Sequence, residues 1–489
     1  MSAVAALGFA AALAGCGSTT YFAGRPLPPS GLLNRVLIAI QNPGSLSSGT
    51  LQFVDAFYDI RFRYNSTSTL PAFSIGGYNG SLPATIQNMP EELIGAVYNS
   101  GSGTLTLVNY SSERSSGNIS GVSNSTSVFI TRNQSYVFAT SLNSDVLTVI
   151  DRSTTNAGTY TLSAPTKLTQ VSVNPGGSVA LAFTQNSNYA YYARKLTTAQ
   201  SISYSAGPSS WPKAAVDCEP QNAPGWCLFQ VQSPDNVDAT GNYYGAPLNF
   251  DRPAKAVFSA DGSTAYVLNC GPECGGNTAS VTTVPVSPLI FLAGQMSGKL
   301  PTQATLNSDT LDLPGGASNA LADSSHLYVV GQELMPDGFF GGHLTVVTLP
   351  SGSATSMTAG APISISDGEP GGPSKMVLAD DDTLWIGMIH CTNGERAKNG
   401  QPYGCLTMYN TSTGAAILIP YNGDATGIAA VTGLHKIYTA EGGQVYIYAT
   451  GGGSYAAGTS IDNENVTVTG TAYDVAYMDA TSDYDNTDY

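Results

Sequence analysis

The stretch SVFITRNQSYVFATSLNSDVLTVID, residues 127–151, decides the fold. It holds three short runs rich in β-branched and aromatic residues, separated by Asn- and Ser-rich turns. Tyr136 and Phe138, then Leu147 and Val149, recur at every second position, the period that gives a strand two distinct faces. The pattern returns as VSVNPGGSVALAFTQNSNYAYYARK, AVFSADGSTAYVLNCGPECGGNTASVTTVPV and ALADSSHLYVVGQELMPDGFFGGHLTVVTL. It returns again as MVLADDDTLWIGMIHC with GCLTMYN, and as GIAAVTGLHKIYTAEGGQVYIYA. Each copy runs strand, tight turn (Pro175-Gly176, Asp261-Gly262), strand, variable loop, strand. Two earlier segments, RVLIAIQNPGSLSSGTLQFVDAF and ELIGAVYNSGSGTLTLVNY, carry the last two strands of the same unit.

Second-strand centres fall near residues 38, 97, 137, 181, 266, 328, 385 and 438. The shortest spacings, about 40 and 44 residues, match one four-stranded propeller blade. The expected fold is therefore all-β, a β-propeller of eight blades. Seven is the alternative, because the units at 36–60 and 82–110 are weakly marked. A single blade buries too little apolar surface and exposes its edges, so the blades must cover one another in a closed ring. TAYDVAYMDA (471–480) resembles an isolated first strand, whereas the chain enters the repeat at RVLIAIQ with a second strand. The C-terminal strand is expected to pair into the N-terminal blade. The long interval before residue 266 reads as an insertion at about 200–252, although a degenerate blade would also fit. The propeller then spans 36–478, and 479–489 reads as an acidic, solvated tail.

Composition agrees. Only 11% of residues are charged, while 54 Gly, 28 Pro and 27 Tyr suit short strands and tight turns better than helices. Hydrophobic residues at 42% supply a sizeable core. A net charge of −16 with no run of Lys or Arg argues against nucleic acid as a partner, since nothing would neutralise phosphates.

Residues 1–15 are small and apolar, too short to span a bilayer, and they end at Leu13-Ala14-Gly15-Cys16. This segment resembles the lipobox of bacterial lipoproteins, although no Lys or Arg precedes the apolar run. The resemblance implies a signal peptide over 1–15, a lipidated Cys16 and a place in the bacterial cell envelope. Gly17 rather than Asp behind the cysteine implies the outer membrane. Residues 16–35, with Pro26, Pro28 and Pro29, read as a flexible tether. Of seven cysteines, six remain, in three close pairs: Cys218 with Cys227, Cys270 with Cys274, and Cys391 with Cys405. Each pair lies in a Gly-, Pro- or Asn-rich stretch. Six cysteines allow fifteen pairings; proximity selects three disulfides, each closing one loop. Metal binding competes through the CxxxC spacing and through His390 beside Cys391. The pairs are far apart and only 4 His are present, so no metal is expected.

VFATSLNSDVLTVID and SADGSTAYVLN resemble the YVTN-type β-propeller repeats of prokaryotic surface and envelope proteins, over roughly residues 90–450. Those repeats occur in lactonase-like enzymes, quinoprotein-like propellers and binding scaffolds, so the resemblance implies fold more than activity. No His-Glu-x-x-His, G-x-S-x-G, phosphate loop or EF-hand loop is present. Asp380, Asp381 and Asp382 read as a solvated turn, and Asp367 with Glu369 could reach a propeller mouth. His326 and His435 begin equivalent second strands, and His343 begins a third. Trp211, Trp226, Tyr243 and Tyr244 in the insertion, with Phe339 and Phe340 in DGFFGGH, form the candidate binding surface; a satellite core beneath a long loop is the competing reading. The expectation is a lipid-anchored binding or protein-interaction scaffold. Its partner would be another envelope protein or a glycan, and no cofactor is expected. The alternative is a lactonase-like or quinoprotein-like enzyme with its site in the central channel.

Overall fold

Eight small antiparallel sheets follow one another along the chain, and their first strands lie side by side around a common axis. The computed structural model describes most of residues 25–481. Outside the described part lie 1–19, 22–24, 43–48, 62–71, 142, 154–156, 185, 213, 221–223, 232–235, 238–242, 245–247, 287–288, 290–308, 337, 352–355, 366–372, 392–404, 420–421 and 482–489. The second strands of blades I to VIII are Arg35–Gln41, Ile94–Asn99, Tyr136–Ser141, Ala180–Thr184, Thr264–Asn269, His326–Leu334, Thr383–Met388 and Lys436–Glu441. All eight fall where the repeat spacing placed them. Two short pairs, Thr20–Tyr21 with Arg25–Pro26 and Asn236–Val237 with Tyr243–Tyr244, stand outside the blades.

The alternation in the opening stretch has a direct structural meaning. Val137 and Ala139 pack in the cluster shared with blade II, and Phe138 between them packs in the cluster shared with blade IV. The same division holds in blade VII, where Leu384 and Ile386 face blade VI and Trp385 faces blade VIII. Both faces of these strands are buried, so they read as nearly continuous apolar runs. Each hydrophobic cluster among the described residues joins two neighbouring blades, so each blade depends on its neighbours for its core.

The ring closes as expected. Thr471–Tyr477 pairs antiparallel with Arg35–Gln41, from Val36 opposite Tyr477 to Gln41 opposite Thr471, and forms the first strand of blade I. A buried ion cluster sits on this seam. Arg35 donates from Nε and Nη2 to Asp479 at 3.0 and 2.6 Å, and from Nη1 to Glu113 at 2.9 Å and the Tyr110 carbonyl at 2.7 Å. The backbone N–H of Arg35 also donates to Asp479, at 2.8 Å.

Two boundaries shift in consequence. Asp479 is 1% exposed and Ala480 is 3% exposed, so the ordered seam runs two residues into the segment read as tail. The N-terminal segment docks earlier than a free tether would. Arg25 donates to the Pro90 carbonyl, Pro28 is buried, and Ser30 donates to Glu113 through its backbone N–H and its hydroxyl.

Blade IV departs from the insertion reading. Its sheet has five strands, ordered Leu168–Val173, Ala180–Thr184, Ala190–Lys195, Trp226–Gln230 and Ala215–Glu219. Much of the supposed insertion is thus the blade's own outer edge, folded back as a hairpin. The chain reaches it through the helix Thr198–Tyr204, started by a capping box between Thr197 and Gln200. A helix this short leaves almost no periodic signal in sequence.

Candidate functional site

Because strands alternate in direction, turns between first and second strands lie at one end of the ring, with Arg35 and Asp479; this is the seam face. Loops between second and third strands, and those linking blades, lie at the other end, which holds the Cys270–Cys274 and Cys391–Cys405 disulfides; this is the clip face.

The first strands that line the axis tie neighbouring blades together with polar side chains. Gln87 of blade II donates to the Ile130 carbonyl of blade III at 2.7 Å and accepts from the Ile130 N–H at 2.9 Å. Ser172 accepts from Ala256 N–H, Lys255 donates to Asn319, and Ser374 donates to the Ala425 carbonyl. Lys375 of blade VII reaches Asp474 of blade I at 3.1 Å, past Gly427 of blade VIII, where a Cβ would lie 2.4 Å from the Asp474 carboxylate. Burial raises the proton affinity of Asp474, opposed by the Lys375 charge and the N–H groups of Ile86 and Val475. Among the described residues, the one His/Cys/carboxylate group compact enough to hold a metal is Cys391, Cys405 and Asp424, and its two cysteines form a disulfide.

On the seam face, Asp380–Asp382 is a clasp rather than a free turn. Asp381 accepts from Thr450 at 2.5 Å and from Gly452 N–H at 2.7 Å, and it pairs with His435 Nδ1 at 2.9 Å. These bonds outweigh partial burial and hold its carboxyl below the usual range. Gly433 N–H binds Asp380, so blades VII and VIII are joined here. His326 stands at the equivalent place in blade VI, 3.6 Å from Asp323. His343 is buried within the third strand rather than beginning it, 3.1 Å from Glu333. Asp367 and Glu369 lie outside the described residues.

The three expected disulfides are present: Cys218–Cys227, Cys270–Cys274 and Cys391–Cys405. The first bridges the outer hairpin of blade IV, and the other two tie clip-face loops. Among the described residues, the predicted aromatics are not gathered into one surface. Trp226 is 1% exposed and stands edge-on to Tyr136 and Phe138 between blades III and IV, its ring N–H directed to Asp151. It pairs in the sheet with Lys195, so its side chain faces a neighbouring blade. Trp211 packs half-buried against the cluster of blades IV and V and donates to the Tyr204 carbonyl at 3.1 Å. Tyr243 and Tyr244 form a short strand on the clip side, and their side chains lie outside the described part. Phe339 and Phe340 are half-buried at a hairpin tip, near Leu334, which is 51% exposed. Cys16 lies outside the described residues.

Two clip-face features escaped sequence reasoning. Glu441, at the end of the second strand of blade VIII, is pushed up to about 7 by burial, opposed by hydrogen bonds from Thr439, Tyr448 and Asn422. At the corresponding position of blade V, Asn269 is 1% exposed and lines a cleft of about 220 Å³. It is lined as well by Asn188, Asn249, Phe250, Asp251, Asn277, Thr278, Ser280, Thr282, Thr310 and Asp312. Asn269 Nδ2 donates to Ser280 and Thr282, while Asn269 Oδ1 and Asp251 Oδ1 have no hydrogen-bond partner among the described residues. A signal was available: AVYN and YVLN end two second strands in Asn, at 99 and 269, a polar residue in an otherwise apolar run.

No protein-family model matches the chain, and no curated protein matches it. Among solved structures it is similar to hydrazine synthase of Kuenenia stuttgartiensis, at 12% identity and a TM-score of 0.45, covering 79% of this chain and 99% of that one. It is also similar to the periplasmic gluconolactonase PpgL of Pseudomonas aeruginosa, at 14% identity and a TM-score of 0.40, covering 91% and 98%. A third is the dihydro-heme d1 dehydrogenase NirN in complex with DHE, at 10% identity and a TM-score of 0.46, covering 93% and 79%. At this degree of likeness, no activity passes from these proteins to this chain.

Proposed function

We propose that this protein is a lipid-anchored β-propeller of the bacterial cell envelope, held at the outer membrane by its expected signal, that works as a binding scaffold through its clip face. The observation that supports this reading best is the character of that face. The Cys270–Cys274 and Cys391–Cys405 disulfides, an aromatic hairpin tip and a polar cleft with unpartnered buried groups stand on the ring. Loops held this way lose little freedom when a partner docks. The channel-side charges Lys375 and Asp474, by contrast, are spent on each other. The lipid anchor is expected at Cys16, which the Cys16→Ser variant tests: the variant moves to the soluble fraction while the parent sediments with membranes. The binding reading itself is tested by a panel of sugar lactones. Turnover above background that disappears on Asp474→Asn, with the fold retained, overturns it in favour of a channel enzyme.

A further inference from the structure

From the blade V cleft we infer a site for a neutral saccharide or polyol unit, bound through adjacent hydroxyl groups. This deepens the binding reading and rests on it. The argument starts from a comparison inside the molecule. Asn99 of blade II occupies the same place as Asn269, last in the second strand, with Thr106 in the adjacent strand two residues beyond its direct partner, as Thr282 is in blade V. Asn99 Nδ2 donates to Thr106 at 2.8 Å, as Asn269 Nδ2 donates to Thr282 at 2.9 Å. In blade II the amide oxygen is satisfied from within, because Tyr78 OH donates to Asn99 Oδ1 at 2.5 Å. In blade V no described residue fills the place of Tyr78, and the cleft opens there instead.

A buried amide oxygen and a buried carboxylate oxygen left without donors are costly unless a ligand or water supplies them. The cleft holds far more than one water, which needs only about 10–15 Å³ of such volume. Its lining selects the ligand class. Four amides and four hydroxyls both donate and accept, which suits hydroxyl groups that do the same. Neither Lys nor Arg lines it, so an anion is disfavoured. A calcium ion, which takes oxygen ligands alone, would leave the amide and hydroxyl hydrogens of this lining unused. Asp251 is preorganised: its Oδ2 already accepts from the N–H groups of Asn277 and Thr278 at 2.8 and 2.7 Å, leaving Oδ1 for the ligand.

The test is saturation-transfer NMR on the full chain with glucose, galactose, mannose and N-acetylglucosamine, beside thermal melts with calcium chloride. At least one sugar should receive saturation. Asp312→Ala, at the exposed rim, and Asn269→Ala, at the floor, should each weaken that binding about tenfold, the effect of one lost hydrogen bond of the stronger kind. Asp312→Ala guards against the chance that Asn269→Ala fails to fold. No transfer to any of the four sugars overturns the inference, as does transfer that survives both variants. A calcium-dependent rise in melting temperature abolished by Asp251→Asn, without sugar binding, also overturns it in favour of a cation site. Sugar that binds and emerges chemically altered leaves the cleft standing but overturns the binding-scaffold reading. Sugar that binds unaltered supports both.

Discussion

The seam cluster makes an ordered prediction about two substitutions. Arg35 carries one positive charge between two carboxylates, Glu113 and Asp479, all three buried. Asp479→Asn leaves Arg35 paired with Glu113 but sets an amide donor against the guanidinium, at a cost of about 2–3 kcal/mol for the charged hydrogen bonds weakened. Arg35→Met removes the cation that, among the described residues, pairs with both carboxylates, so its cost should reach about 5 kcal/mol, the upper end for one partner of a buried pair. Combining the substitutions should cost less than their sum, because the second acts on an interaction the first has already broken. Urea unfolding monitored by circular dichroism at constant slope measures each value. The Arg35→Met deficit should shrink as pH falls, because protonation relieves the unpaired carboxylates. If Asp479→Asn proves as harmful as Arg35→Met, or if both stay within about 1 kcal/mol of the parent, the cluster does not hold the seam.

Other expectations follow from features away from the seam. Glu441 has an ordinary value of 4.5 and a folded value of about 7, so the folded protein binds the extra proton. The parent should therefore lose stability as pH rises from about 4.5 to 7, by an amount on the order of 3 kcal/mol. Glu441→Gln should melt higher than the parent at pH 8 and close to it at pH 5; the reverse order would refute the assignment. Trp226→Ala should cost about 3–5 kcal/mol in unfolding experiments, as a core residue, whereas a surface tryptophan would cost under about 0.5 kcal/mol. Cys274 is exposed, while Cys218 and Cys227 are buried. Limited reductant followed by alkylation and mass mapping should thus open Cys270–Cys274 before Cys218–Cys227.

The fold was legible because a blade's second strand must face a neighbour on both sides. Such a strand is apolar through its middle, short, and bounded by turn residues, as TAYVLN shows; Val137, Phe138 and Ala139 each serve a core that the pattern alone implies. Closure was legible because a strand without a sheet, Thr471–Tyr477, had to find one. The polar devices were hidden. Arg35 and Asp479 are 444 positions apart, and nothing local distinguishes them from other surface charges. Trp226 was misplaced because an aromatic in a Gly- and Pro-rich stretch looks exposed; only the reversed order of the outer strands of blade IV turns it inward. Asn269 was overlooked because one Asn among many carries no mark until its neighbours across three strands are known.

The seam also sets the moment at which the molecule becomes whole. Ribosomes deliver Arg35 444 positions before Asp479, so until Thr471–Tyr477 emerges the opening blade lacks its axial strand. A prematurely terminated product keeps that hydrogen-bonding edge bare and Arg35 short of one carboxylate, and is thereby marked for proteases or for pairing with another unfinished copy. Closure of the ring is thus checked by the fold itself, at the seam.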